Sequence, residues 1–221
     1  MKTKIFDVLP STNEYAETHD FLEDTAIIAR EQTGGKGTKG RSFSSLKGGV
    51  YLSLVRLMPC KAADSFSLMV ASCMAVVKTL ESYGVKAQIK WANDVFVNGK
   101  KICGILIKNV FEGDYVKKSI TGIGVNVNNE IPPELQSIAI NLKSLIGKVD
   151  TDEFSKKLIE NLYKHYSIDD YRSYNMVLGR RITVIDGEKT YTATASDISP
   201  NGNLVLSDGR ILSHGEVTIR L

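Results

Sequence analysis

Residues 30–55 read REQTGGKGTKGRSFSSLKGGVYLSLV, and the way this stretch ends decides which glycine-loop fold the chain can have. Residues 30–49 hold six glycines and five Lys/Arg against one acid, Glu31. Glycine lets backbone N–H groups approach a ligand closely, and the basic side chains place positive charge beside them. The loop suits a phosphate, pyrophosphate or carboxylate; a mobile surface loop is the plainer alternative. Gly35–Gly40 also satisfies G-x-G-x-x-G, but a dinucleotide fingerprint opens a helix and has an acid about 20 residues on. Here the apolar run Val50–Val55 follows and reads as a strand, and positions 55 to 60 offer Arg56 but no acid. A Gly-Lys-Ser/Thr entering a helix is absent, as are the His-Arg-Asp and Asp-Phe-Gly of kinases. What remains is a basic glycine loop between two strands.

Working outward, Thr25–Arg30 reads as the preceding buried strand. Phe66, Met69, Val70, Cys73, Val77 and Leu80 follow helical spacing within 62–83, and Gly84 stops that helix. Val95–Val97, Asn98-Gly99 and Ile102–Ile107 spell a hairpin, because Asn-Gly accepts the positive φ of a tight turn. A strand is expected over Ser119–Val127 and an amphipathic helix through Phe154, Leu158, Ile159, Leu162 and Tyr166. From about Gly179 the texture changes to short β runs punctuated by Asp186-Gly187, Asn201-Gly202 and Asp208-Gly209. Such runs can curl into a small barrel. The reading is α+β, with a first domain over 1–175 and a small C-terminal β-barrel over 176–221.

Composition excludes whole classes. The chain has 221 residues, 43% of them hydrophobic, enough for a real core and unlike a disordered or fibrous chain. A net charge of +3 is too small for bulk electrostatics to suggest nucleic-acid binding. Residues 176–221 carry five basic and five acidic side chains, so the excess belongs to the first domain. Cys60, Cys73 and Cys103 are widely spaced and odd in number, giving neither a disulfide framework nor a CxxC site. No signal peptide or membrane-length apolar run is visible, so a reducing cytoplasm and no membrane are expected.

Further motifs accompany the loop. Lys90-Trp-Ala-Asn-Asp94 holds the only tryptophan; Lys100-Lys-Ile-Cys-Gly-Ile-Leu106 follows in the hairpin; Thr121-Gly-Ile-Gly-Val-Asn126 alternates small and branched residues. Gly104 would leave room for a ligand where a side chain should stand. Pro10-Ser-Thr-Asn13 alone reads as a helix cap. In this order, with Glu31-Gln-Thr-Gly-Gly-Lys-Gly-Thr-Lys-Gly-Arg-Ser-Phe43, the motifs resemble those of the biotin–protein ligases across nearly the whole chain. Ser213-His-Gly-Glu-Val217 also resembles the end of that family's SH3-like barrel.

The resemblance implies a class II synthetase-like biotin/lipoate ligase fold, a mixed-sheet catalytic domain followed by the SH3-like barrel. It also implies an ATP-dependent biotin–[acetyl-CoA-carboxylase] ligase. Such an enzyme makes biotinyl-5′-AMP and transfers biotin to a lysine of a biotin carboxyl carrier protein domain. Biotin and ATP are then substrates, with Mg²⁺ arriving on ATP. By resemblance, Ser11, Thr12 and Gln32 bond the ureido head of biotin, Asn13, Gly35 and Lys36 also belong to the biotin site, and Gly104, Gly122 and Gly124 line the sheet face beneath it. Gly35, Lys36, Gly37, Thr38, Lys39, Gly40 and Arg41 close over the adenylate, with Trp91, Asn93 and Asn126 near the nucleotide. Lys101 is the expected catalytic group, bonding the biotin carboxylate and the reacting phosphate. Asp94 is an indirect candidate for the Mg²⁺ side.

Thr38 stands where the family often has a second loop arginine and lacks that residue's planar charged fork. Phe43 replaces a usual tryptophan and Ala92 a usual proline; both changes are expected to alter packing. Ser11 lies ten residues from Met1, so no DNA-reading winged helix is expected and no nucleic-acid partner. Homodimers with sheets side by side are common in the family. Lipoate or octanoate ligases share the chemistry but have an Arg-Arg-x-Ser-Gly-Gly-Gly loop that is absent here, and a non-catalytic biotin-binding protein is the other alternative. His19, His165 and His214 are isolated and read as surface or structural groups, and Cys103 as a packing residue.

Overall fold

The computed structural model describes residues 1–187, 189–213 and 218–220. Strand β1 (Lys2–Leu9) leads into helix α1 (Thr12–Thr18), then β2 (Thr25–Gln32) and β3 (Val50–Leu57) flank the glycine loop. Helix α2 (Ser67–Glu81) precedes β4 (Gln88–Lys90), β5 (Asp94–Val97), β6 (Lys100–Glu112) and β7 (Tyr115–Val125). These strands form one seven-stranded sheet in the order β1-β2-β3-β7-β6-β5-β4. Only β1–β2 is parallel, so the sheet is mixed, as expected. Asn98 (φ 51°) and Gly99 (φ 74°) make the β5–β6 turn that their sequence predicts.

The departures are local. The helix starts at Ser67, because Ala62–Asp64 form a separate 3₁₀ turn before it. Strand β7 begins at Tyr115, four residues early, since β6 runs on to Glu112 and pairs with it there. Strand β1 was not foreseen. It is an edge strand whose side chains alternate between exposed and half-buried, with little apolar patterning.

Three more helices follow, α3 (Lys143–Ile146), α4 (Thr151–Leu162) and α5 (Ile168–Ser173). Helix α4 starts on Asp150, whose carboxylate accepts N–H bonds from Asp152 and Glu153. Phe154 and Leu158 are fully buried against the α2 side of the sheet. Each stabilises the fold by about 1.5–3 kcal/mol. Residues Ala62–Glu81 have the length and mean hydropathy (1.3) of a membrane-crossing helix. Ten residues of α2 are nonetheless buried between sheet and helices, which is the setting of a core helix. Helix α1 covers the opposite face, where Ala16, Ile27, Val55 and Ile120 form a second small core.

The C-terminal strands β8 (Arg181–Asp186), β9 (Lys189–Ile198), β10 (Leu204–Leu206), β11 (Ile211–Leu212) and β12 (Thr218–Arg220) form a five-stranded antiparallel sheet. Gly187, Gly202 and Gly209 turn with positive φ at the Asp-Gly and Asn-Gly positions read from the sequence. In the Ser213–Val217 motif, residues 214–217, including His214, lie outside the described residues. One apolar cluster runs from Leu52 and Met74 through Tyr171 into Ile182, Ile198 and Leu204, so both sheets share a core. The buried Trp91 indole N–H donates to the Gly202 carbonyl at 2.9 Å, and the Phe66 ring fills the space a Gly202 side chain would need. Gly202→Ala must place a methyl against that ring at φ 84°. It is expected to destabilise the chain by about 2–3 kcal/mol in urea denaturation. An unchanged midpoint would show that the turn can leave the core without cost.

Candidate functional site

The site is built on the α1 side of the sheet, where Gly104 of β6 and Gly122 and Gly124 of β7 leave the surface bare. Lys101 reaches this side through a bulge. Val95 pairs with Cys103 and Phe96 with Lys101, so Ile102 is the extra residue. Consequently Ile102 and Cys103, although consecutive, both enter the same core cluster, and Lys101 falls on the face of Gly104. Its ammonium lies 2.7 Å from an Asp94 carboxylate oxygen. A Cβ added at Gly104 would stand 3.1 Å from Lys101 Nζ, so the lysine lies across the glycine.

At the other end, α1 begins with Ser11 as its cap, accepting from the Glu14 N–H at 3.4 Å. The capping expectation for this motif is met, and the same turn faces the sheet. The Gln32 side-chain oxygen accepts from Thr12 N (2.8 Å) and Thr12 Oγ1 (3.1 Å), while its Nε2 donates to Ser45 Oγ at 2.9 Å. Ser53, fully buried on β3, reaches Thr12 Oγ1 at 2.7 Å and Asn13 Oδ1 at 2.5 Å. This network fixes the direction of each amide before any ligand arrives. Sequence reasoning missed Ser53, whose only signal is a small polar residue inside an apolar strand.

Two adjoining cavities result. The smaller, about 50 Å³, is lined by Ser11, Thr12, Asn13 and Gln32 at one end and Lys101 at the other. Gly104, Gly122 and Gly124 are its floor, and Lys36, Gly37 and Thr38 form its loop side. The larger, about 420 Å³, is lined by Thr38, Lys39 and Arg41 and by the Lys90–Asp94 segment, including Trp91 and Asn93. Met69 of α2 and Phe66 just before it add apolar wall. The cavities share Thr38, Asn93, Asp94, Ile105 and Leu106. Phe43 lies in the smaller one, its ring 2.6 Å from where a Gly124 Cβ would be, so it fills the cradle.

Three candidates line neither cavity. Gly35 is wedged beneath the Phe43 carbonyl and Ser45, where no side chain fits. Gly40 turns the loop at φ 71°, next to Lys39 at φ 57°. The Asn126 carboxamide faces Asn129 instead, accepting from its Nδ2 at 3.0 Å. Within the loop, Arg41 folds back on Thr38, its Nε donating to the Thr38 carbonyl at 3.3 Å. Lys36 pairs with Glu14 at 3.0 Å, an exposed contact worth less than about 1 kcal/mol and easily exchanged for a ligand. Asn93 is tied down by its Nδ2–H bond to the Ile105 carbonyl at 2.7 Å.

Electrostatics follow position. Burial pushes the Lys90 ammonium below its ordinary range; Asp94 opposes this, while Lys101, Arg220 and Arg41 reinforce it. Burial raises the Cys103 thiol, whose Sγ donates to the neighbouring Gly104 carbonyl at 3.7 Å inside the apolar core, in keeping with a packing role. His19 is exposed and stacks on Tyr15. Among the described residues no group of three or more His, Cys, Asp or Glu is placed to hold a metal ion.

Fold and cavities place a lysine–aspartate pair where two adjoining cavities meet. The biotin/lipoate A/B protein ligase family model matches residues 5–128, and the biotin protein ligase C-terminal domain model matches residues 177–220. The chain belongs to this family of ligases. It is 32% identical over 219 residues to the bifunctional ligase/repressor BirA of Bacillus subtilis (strain 168), covering 90% of this chain and 67% of that one. It is 26% identical to the biotin–[acetyl-CoA-carboxylase] ligase of Mycobacterium tuberculosis, covering 89% and 79%. The biotin protein ligase of Aquifex aeolicus, solved in complex with biotin and ATP, superposes with a TM-score of 0.83 at 28% identity, covering 99% of this chain and 98% of that one.

A Cβ at Gly122 would fall on the Asn13 carboxamide. Gly122→Ala is therefore expected to cost about 2 kcal/mol, and the cycle with Asn13→Ala to show at least about 1 kcal/mol of coupling. Additive losses would mean that the two residues do not meet.

Proposed function

We propose that this chain joins biotin to ATP as biotinyl-5′-AMP, releasing pyrophosphate. It then passes biotin to one lysine of a biotin carboxyl carrier domain of a carboxylase. The observation that carries this reading is the junction itself: Asp94 lines both cavities, and Lys101, which lines the smaller, meets it at 2.7 Å. Biotin takes the smaller cavity, its ureido head on Thr12, Asn13 and Gln32, once the Phe43 ring swings out of the cradle. The nucleotide takes the larger cavity.

A biotin carboxylate oxygen must attack an α-phosphate of like charge while the bond to pyrophosphate breaks. Lys101 neutralises both groups at the point of contact, and the N–H groups and cations of Gly37–Arg41 hold the phosphates in place. A neutral carrier-lysine amine then attacks the acyl carbon, the bond to AMP breaks, and the amine loses its proton. Mg²⁺ would come as part of the ATP substrate and supply positive charge to its phosphates, with Asp94 the carboxylate on that side that would help hold it. We assign residues 1–175 to this chemistry and 176–221 to the C-terminal module, and we expect a homodimer and a cytoplasmic location. The match of the C-terminal domain supports biotin over lipoate or octanoate.

Biotin-dependent exchange of labelled pyrophosphate into ATP tests the reading. Exchange with biotin is expected, and Lys101→Ala should lower it by about 10²-fold or more. Exchange with lipoate alone would establish the rival enzyme, and biotin binding with no exchange a binding protein.

A further inference from the structure

Strand β7 leaves the sheet at Val125, opposite Cys103, and so ends short of Lys101. A segment from a distant loop takes its place. Lys101 N–H donates to the Ile138 carbonyl at 2.8 Å, and Ile140 N–H donates to the Lys101 carbonyl at 3.0 Å. This parallel bridge binds both backbone polar groups of the lysine. Lys100 Nζ adds a bond to the Gln136 carbonyl at 2.7 Å.

What holds that segment is a knot of asparagines. Asn129, almost wholly buried, accepts from Val127 N–H at 3.1 Å and donates to Asn126 Oδ1 at 3.0 Å. Asn141 Nδ2 donates to the Asn129 carbonyl at 2.8 Å, while its Oδ1 accepts from Ser144 N–H at 2.9 Å. Asn141 thus clips the chain immediately after Ile140 to Asn129, four residues past the end of β7. The knot also reaches the end of the glycine loop: Asn128 N–H donates to the Gly48 carbonyl at 2.8 Å. A Gly48 side chain would crowd Asn129 N at 3.0 Å.

We propose that Asn129 and Asn141 are positioning residues: they clamp segment 138–140 against Lys101 and so hold the lysine at the cavity junction, in register with the end of the loop. The inference rests on the role given to Lys101 above. A buried amide network gives one arrangement with every donor and acceptor matched, and displacement of a reacting group by about 1 Å costs large factors in rate.

Asn141→Asp tests it in the full chain, because the aspartate keeps the acceptor for Ser144 and replaces the donor to Asn129 by a carboxylate oxygen that repels the Asn129 carbonyl. The amide hydrogens of Lys101 and Ile140 are expected to exchange about tenfold faster, with those of Leu52 and Leu54 in β3 unchanged. The kcat of biotin-dependent pyrophosphate exchange should fall about tenfold, with KM for biotin and ATP within about twofold. Lys100→Met loosens the same segment from the strand side and should act in the same direction by about threefold, which keeps the test available if the aspartate variant does not fold. Unchanged Lys101 amide exchange, or faster exchange with unchanged kcat, overturns the proposal. Absence of pyrophosphate exchange in the unaltered chain overturns the ligase reading instead, and the amide rates still decide whether the knot holds the lysine.

Discussion

Between Val95 and Phe96 the pairing of β5 with β6 slips by one residue, and the position of Lys101 depends on that slip. In an unbroken strand Lys101 and Gly104 would point to opposite faces, since side chains alternate. The extra residue, Ile102, buries beside Cys103 and returns the lysine to the face of the glycines. Asp94, directly opposite Gly104, meets the ammonium there. About a third of the lysine side chain stays exposed, so the pair is held loosely enough to exchange for ligand charge.

The other end of the cradle is fixed by shape and by hydrogen bonds together. Ser53 and Gln32 orient Thr12 and Asn13, and the bare backbone of Gly122 is what lets the Asn13 amide approach the sheet. Polar groups turned inward this way suit a ureido ring, which presents both donors and an acceptor. Phe43 lies over the same floor, its ring against Gly104 and Gly124. The loop that carries Phe43 is anchored at Gly48 by Asn128, and the lysine strand is anchored through Asn141, so both walls of the site end on one amide network.

Much of this was legible in the sequence. The Asn98-Gly99 turn, the strand after the glycine loop and the glycines of β6 and β7 each carry a local signal that survived folding, because turn chemistry and small side chains act where they stand. Most of the residues read as ligand contacts line one of the two cavities. The bulge had no signature: its consequence, Lys101 beside Gly104, depends on pairing across strands. Ser53 acts on residues about 40 positions away, and Asn126 turned to Asn129 because β7 ends where the chain must bend. Strand β1 was hidden by its half-exposed edge position.

The central claim is that Lys101 stands where carboxylate meets phosphate. A structure with a non-hydrolysable biotinyl-AMP analogue bound tests it most directly. The account predicts the analogue's phosphate oxygen within about 3 Å of Lys101 Nζ, the ureido oxygen and nitrogens on Thr12, Asn13 and Gln32, and Phe43 displaced from Gly124. A phosphate bound beyond hydrogen-bonding reach of Lys101, with the lysine still on Asp94 alone, would contradict it.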